Sequence, residues 1–238
     1  MNFTRTIYSH VKTDLKSKMV FIGGPRQVGK TTLAKTFTKN RDLNTIKHLS
    51  QVELLISMLP EKVGSPLSIK SIQEDLEVSP NTVNRWIEIL EAIYYCYRIL
   101  PYGPSKIRAV KKSQKLYLWD RAEIENTGAR LENMIAGHLL KYCHFLEDTE
   151  GHKMELRYIR DTDLREIDFV VLKNKKPLFA VECKTGEKTI SKHIHYFRDR
   201  TPIPQFYQVH LGSLDYQDKN IRVLPFEKFC KEIASGIV

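Results

Sequence analysis

Two short apolar runs joined by one turn constrain this chain more than any other stretch of it. Arg165-Glu-Ile-Asp168-Phe-Val-Val-Leu172 and Leu178-Phe-Ala-Val-Glu182-Cys-Lys184 flank a turn signal near Asn174-Lys-Lys176. Their β-branched and aromatic content reads as two strands of one hairpin. Period two places Asp168, Val170 and Leu172 on one face, and Ala180, Glu182 and Lys184 on one face of the partner. A hairpin centred on Lys175 sets Asp168 directly opposite Glu182. Two carboxylates opposed across a ladder repel, so a purely structural hairpin avoids that pairing. A divalent cation removes the objection. Mg²⁺ or Mn²⁺ takes carboxylate and water oxygens, polarises a phosphate and lowers the pKa of a bound water. Lys184, two residues beyond Glu182 on the same face, is placed to orient that water or to stabilise charge developing on the phosphate. Two blander readings stay open: a surface salt-bridge cluster, and an acidic site that binds metal without cutting.

Upstream, the spacing predicts a helix from about Arg130 to Tyr142, with Leu131, Met134, Ile135, Leu139 and Tyr142 on its apolar face. Glu132 sits at the border of that face and can point toward the same acids. His193, His195, His138 and His144 carry no metal-ligand spacing and read as packing or surface residues. Arg198 and Arg200 read as solvated charges.

A second motif lies near the start. Gly24-Pro-Arg-Gln-Val-Gly29-Lys30-Thr31 fits the phosphate-binding pattern G-x-x-x-x-G-K-[ST] at every defined position. A short strand, Met19-Val-Phe-Ile22, leads into it and a helix from Thr31 to Thr38 leaves it, as phosphate binding by loop N–H groups and a helix dipole requires. Gly24, Pro25, Arg26, Gln27, Val28, Gly29, Lys30, Thr31 and Thr32 are the expected nucleotide contacts, with Lys30 on the terminal phosphates and the Thr31 hydroxyl on Mg²⁺. A working nucleoside triphosphatase also needs a parallel sheet and a second acidic strand end. Too few residues follow before a different pattern begins near Leu67, so ATP binding is expected without hydrolysis. Leu116-Tyr-Leu-Trp-Asp120 resembles that second strand only superficially.

The formal net charge is +10, from 38 Lys plus Arg against 28 Asp plus Glu. The excess concentrates in residues 1–40 and in the strip Lys106, Arg108, Lys111, Lys112 and Lys115, a distribution that suits phosphate-bearing partners, DNA or nucleotide. With 42% apolar and 28% charged residues the chain is not a disordered one. No apolar run is long enough to span a bilayer, so no membrane partner is expected. Cys96, Cys143, Cys183 and Cys230 lie far apart and read as buried thiols of a reducing, cytoplasmic compartment. Between the two motifs, Ser71 to Glu77, a turn at Val78-Ser-Pro80 and Asn81 to Ala92 have a helix-turn-helix rhythm, with Asn81 as N-cap and Tyr94 to Leu100 as a wing. Asn81, Thr82, Asn84, Arg85 and Glu88 are the exposed candidates on the second helix. Only Arg85 among them is basic, so both DNA reading and a packing or lid role stay open.

Taken in order, FIGGPRQVGKTTLAKTF, Arg41-Asp-Leu43, LPEKVGSPLSIKSIQEDLEVSPNTVNRWIEILEAIYY, GARLENMIAGHLL, REIDFVV and VECKTG resemble prokaryotic AAA-type ATPases fused to a winged-helix segment and a C-terminal PD-(D/E)XK nuclease-like domain. Most of the ATPase core of that family, with its Walker B and sensor residues, has no counterpart here. The resemblance implies a mixed α/β chain in three parts: a truncated P-loop βα unit (1–40), a winged-helix segment (41–103) and a restriction-endonuclease-like domain with a mixed central sheet (104–238). It also implies Glu132, Asp168, Glu182 and Lys184 as catalytic residues, with Asp168, Glu182, Glu132 and, at the P-loop, Thr31 as metal ligands. A Mg²⁺- or Mn²⁺-dependent deoxyribonuclease is the expectation. A non-catalytic nucleotide- or DNA-binding protein, or a decayed fragment, is the alternative.

Overall fold

A computed structural model describes residues 43–103, 113–187 and 189–235, with Val11 and Thr13. The P-loop residues Gly24 to Thr32, their expected strand and helix, and the basic positions Lys106, Arg108, Lys111 and Lys112 lie outside the described residues. The chain forms two compact units, 1–54 and 55–238, and the candidate site belongs to the second.

Six helices and eight strands occur among the described residues. They are α1 (Leu43–Lys62), α2 (Ile69–Leu76), α3 (Pro80–Ala92), β1 (Cys96–Pro101), β2 (Lys115–Leu118), α4 (Thr127–Glu150), β3 (Met154–Arg160), β4 (Glu166–Lys173), β5 (Lys176–Lys184), α5 (Lys192–Arg198), β6 (Phe206–His210), β7 (Tyr216–Asp218), β8 (Ile221–Pro225) and α6 (Phe226–Ala234). The fold is mixed α/β, as the sequence predicts. The strands join in the order β2-β1-β3-β4-β5-β6-β8-β7. β1–β2, β3–β4, β4–β5 and β7–β8 are antiparallel, whereas β1–β3, β5–β6 and β6–β8 are parallel. The strand expected as a wing is thus β1, in the same sheet as the acidic hairpin. No helix among the described residues is long and apolar enough to cross a membrane.

Two apolar clusters sandwich the sheet. One takes Phe169, Val171, Phe179 and Val181 with Leu131, Ile135, Leu139 and Tyr142 of α4 and Phe229 of α6. The other takes Val170, Leu172 and Ala180 with Ile194 and Phe197 of α5. This two-sided burial explains why β4 and β5 read as near-continuous apolar runs.

Local chemistry sets the helix ends, with two corrections to the sequence reading. Helix α3 is capped by Ser79, whose Oγ accepts from the Thr82 N–H at 3.1 Å, and Pro80 is its first residue. The sequence pattern places Pro80 in the preceding turn and predicts Asn81 as the cap. Proline suits the first helical position because its missing N–H would have no intrahelical partner there. Helix α2 instead ends at Glu77, in left-handed conformation at φ 52°. Helix α4 runs well beyond the expected 130–142, from an Asn126 cap to Gly151 at φ 70°. Asn81, Arg85 and Glu88 are exposed on α3, while Thr82 and Asn84 are half-buried. Asp120, at the end of the strand that superficially resembled Walker B, caps a turn by accepting from the Ala122 N–H. The amide of Asn133 on α4 pairs with both backbone groups of Leu118, accepting its N–H and donating to its carbonyl at 2.8 Å each. All four cysteines are free, Cys96 and Cys143 buried, Cys183 and Cys230 half-buried rather than fully buried.

Candidate functional site

The β4–β5 hairpin carries the expected register by a different route. Its turn is the two-residue Asn174-Lys175, both with positive φ (52° and 67°), the geometry that matches strand twist in tight hairpins. Lys173 pairs with Lys176 and Leu172 with Pro177, so the turn centre lies ahead of Lys175. A bulge then leaves Leu178 without a partner, and from Val171↔Phe179 through Phe169↔Val181 the pairing is the one that a Lys175 centre predicts. The ladder's next positions are Asp168 and Glu182.

On its other side β4 pairs with β3, and the register shifts between Arg157↔Val170 and Ile159↔Ile167. Asp168 and Phe169 together oppose the single residue Tyr158. Such a bulge bends the strand and re-aims a side chain. Ile167 and Val170 both pack on the α5 side while Phe169 packs on the α4 side, so the strict alternation expected for Asp168, Val170 and Leu172 breaks at Asp168. The Asp168 carboxylate accepts the Cys183 N–H at 2.7 Å.

Glu182 is 4% exposed. Its Oε1 accepts from Lys184 Nζ at 2.6 Å. Its Oε2 is buried with no hydrogen-bond partner among the described residues. Burial first, and the Asp168 charge second, push the Glu182 carboxyl up to about 8. Burial pulls Lys184 down, but Glu182 and Asp168 together outweigh it, so Lys184 is held above the ordinary lysine range.

Glu132 approaches from α4. Its Oε1 accepts from Lys115 Nζ at 3.1 Å and from the Tyr117 hydroxyl at 2.8 Å. Burial and the Asp168 charge raise its carboxyl to about 7, against the opposing pull of Lys115. Lys115 is wholly buried and also lies 2.5 Å from Glu166 Oε1. The other Glu166 oxygen accepts from Arg160 at 3.1 Å. Although burial disfavours the Lys115 charge, Glu132, Asp168 and Glu166 outweigh it and lift its pKa. The Lys115 ammonium also lies 5.3 Å from the centre of the Tyr158 ring.

Of the four expected catalytic residues, Glu182 and Lys184 are in direct contact, and the Asp168 charge acts on Glu132, Glu182 and Lys184. No group of three or more His, Cys, Asp and Glu that would hold a metal ion occurs among the described residues. Two carboxylates nevertheless suit magnesium, which keeps several waters and is commonly held by one or two carboxylates together with substrate phosphate. A cleft of about 760 Å³ opens beside Glu132, lined among others by Glu61, Gly64, Glu123, Glu125 and Asn126. His193 contacts the Glu166 carbonyl through Nδ1 at 3.0 Å.

Lys115, Tyr117 and Glu166 were not singled out from sequence as members of this cluster. One signal was present. Lys115 and Tyr117 alternate on a strand whose other residues are apolar, and a lysine in such a strand needs a buried acid as partner.

Residues 32–122 match a family described as "Domain of unknown function (DUF8612)". Residues 127–229 match another, "Domain of unknown function (DUF4143)". Lys115 and Tyr117 lie in the first match, and Glu132, Asp168, Glu182 and Lys184 in the second. The "Uncharacterized protein MJ1637" of Methanocaldococcus jannaschii is 22% identical over a region covering 79% of this chain and 41% of that protein. The chain thus spans less than half the length of this curated relative. No solved structure matches it.

Proposed function

We propose that the second unit is a Mg²⁺- or Mn²⁺-dependent nuclease-like module acting on DNA phosphodiesters, with Asp168 and Glu182 as cation ligands and Lys184 beside the reacting phosphate. The observation that carries this reading is the buried Oε2 of Glu182, which has no hydrogen-bond partner among the described residues and feels the Asp168 charge. A buried carboxylate oxygen without a donor is costly, and a divalent cation is the ligand whose charge and oxygen preference offset that cost. Once bound, the cation supplies Lewis acidity and an acidified water. The Cys183 N–H fixes the Asp168 carboxylate, and the Lys184 ammonium holds the other Glu182 oxygen.

The sequence resemblance to ATPase–nuclease fusions supports the reading, and the domain matched by residues 127–229 is one often found with AAA ATPases. We assign ATP binding without hydrolysis to the P-loop segment on its sequence alone. The order of α1, the Val63 and Pro66 bridges to β2, α2, α3 and the β1–β2 pair supports a winged-helix reading of this segment. We assign this segment to packing rather than base reading. α3 exposes a single base, Arg85, and Glu91 is engaged by Arg98 at 2.8 Å.

Incubation of the full chain with supercoiled plasmid and Mg²⁺ or Mn²⁺ tests the proposal. Cation-dependent nicking that disappears in EDTA, in Asp168→Asn and in Lys184→Met is the expected result. Absence of both cleavage and cation-dependent thermal stabilisation overturns it. Stabilisation without cleavage favours the second reading, a site that binds metal without cutting.

A further inference from the structure

We infer that Lys115 is a resident cation of the acidic cluster, occupying the flank that Glu132 and Glu166 would otherwise offer to a second divalent ion, so that the site takes one such ion, on Asp168 and Glu182. This rests on the reading of Asp168 and Glu182 as cation ligands and adds a stoichiometry and a division of labour to it.

The two flanks differ in how fully their oxygens are engaged. On the Lys115 flank, Glu132 Oε1 receives two donors, at 3.1 Å from the ammonium and 2.8 Å from Tyr117. Glu166 gives one oxygen to Lys115 at 2.5 Å and the other to Arg160 at 3.1 Å. The remaining Glu132 oxygen is packed against Gly64, where an added Cβ would stand 2.8 Å away. On the opposite flank, Glu182 Oε2 has no donor among the described residues. A metal entering beside Glu132 would have to displace an ammonium that is 0% exposed, leaving a buried cation without its acids. Charge gives the same count. With all carboxylates ionised, Glu132, Glu166, Asp168 and Glu182 face Lys115, Arg160 and Lys184, an excess of one negative charge. A single divalent cation more than cancels it, and a second would leave the buried cluster strongly positive.

Glu132 thereby becomes a positioning residue rather than a metal ligand. It anchors the Lys115 ammonium, whose field reaches Asp168.

The test is Mn²⁺ counting on the nucleotide-free full chain, by equilibrium dialysis and by the loss of the free-ion EPR signal. One Mn²⁺ per chain is expected for the wild type. Asp168→Asn and Glu182→Gln should lower its affinity at least tenfold, while Glu132→Gln should change it less than threefold. Lys115→Met should raise the count to two, and if that variant does not fold the Glu132→Gln comparison decides alone. Two Mn²⁺ in the wild type, a count of one in folded Lys115→Met, or a loss in Glu132→Gln equal to that in Glu182→Gln overturns the inference and leaves the nuclease-like reading standing. No Mn²⁺ bound by the wild type overturns both.

Discussion

Gly64 offers a test of the site's packing that does not depend on its chemistry. Its φ of 74° lies in the left-handed region, and a Cβ there would stand 2.8 Å from Glu132 Oε2 and 3.0 Å from the carboxylate carbon. Gly64→Ala therefore carries two costs. The left-handed backbone costs an alanine about 1–2 kcal/mol. The clash cannot be relieved by an easy swing of Glu132, because the carboxylate is held by Lys115 at 3.1 Å and Tyr117 at 2.8 Å. Retreat weakens a charge-assisted hydrogen bond worth roughly 1.5–3 kcal/mol. The sum is about 2.5–5 kcal/mol, well above the ~0.5 kcal/mol of an ordinary surface change. Urea denaturation of the wild type, Gly64→Ala, Glu132→Ala and the double variant separates the two costs. In the Glu132→Ala background the Gly64→Ala penalty should shrink to the backbone part, a coupling of about 2 kcal/mol. A penalty below about 1 kcal/mol in the wild type, or one equal in both backgrounds, refutes the proposed packing of Glu132 against Gly64.

Three further outcomes are expected. In EDTA, the Glu182 carboxyl, raised from 4.5 to about 8 by burial and Asp168, contributes stability that is complete below pH 4.5 and lost as pH rises through 8. Urea midpoints should fall across that window by an amount equivalent to about 3–5 kcal/mol, and Glu182→Gln should flatten the fall; parallel curves would count against the burial of its charge. Ser79→Ala removes the cap of α3 and should cost about 1 kcal/mol, read as a lowered thermal midpoint by circular dichroism, with Asn81→Ala nearly neutral. Asn133→Leu leaves the Leu118 N–H and carbonyl without their partner and should cost about 2–4 kcal/mol; an unchanged denaturation midpoint would contradict the clamp.

The acidic hairpin was legible because both strands carry its signals locally: apolar runs, a turn cluster, and two acids at matching distances from the turn. The expected register from Val171 to Phe169 was reached through two offsetting departures, since the turn centre precedes Lys175 and the Leu178 bulge restores the count. Period-two reasoning has no means of seeing such a bulge, and it failed again at Asp168, where β4 carries a second bulge in its pairing with β3. The α3 cap lies two residues before Asn81 because Pro80, which the sequence pattern assigns to a turn, is the first helical residue. Lys115, Tyr117 and Glu166 were illegible for a different reason. Their meeting depends on a sheet that curls enough to bring Tyr117 within 5.6 Å of Phe169, although β1 and β3 stand between β2 and β4 in strand order. Such contacts come from tertiary geometry, and a strip of lysines in sequence looks like a solvated basic patch until one of them is found buried.

The Asn133 amide also has a consequence for how this protein meets its own copies. β2 ends one side of the strand order, where unpaired backbone groups would invite another chain's strand. Here Leu118 is bonded by Asn133, the Leu116 carbonyl receives the Gly64 N–H at 3.3 Å, and the Gln114 carbonyl receives the Leu67 N–H at 2.7 Å. A carboxamide presents the same donor and acceptor as a peptide group, so one side chain serves as a one-residue strand that cannot be extended. The sheet is closed on this side by a plug from its own helix, and ribbon-to-ribbon polymerisation would first have to pull that plug.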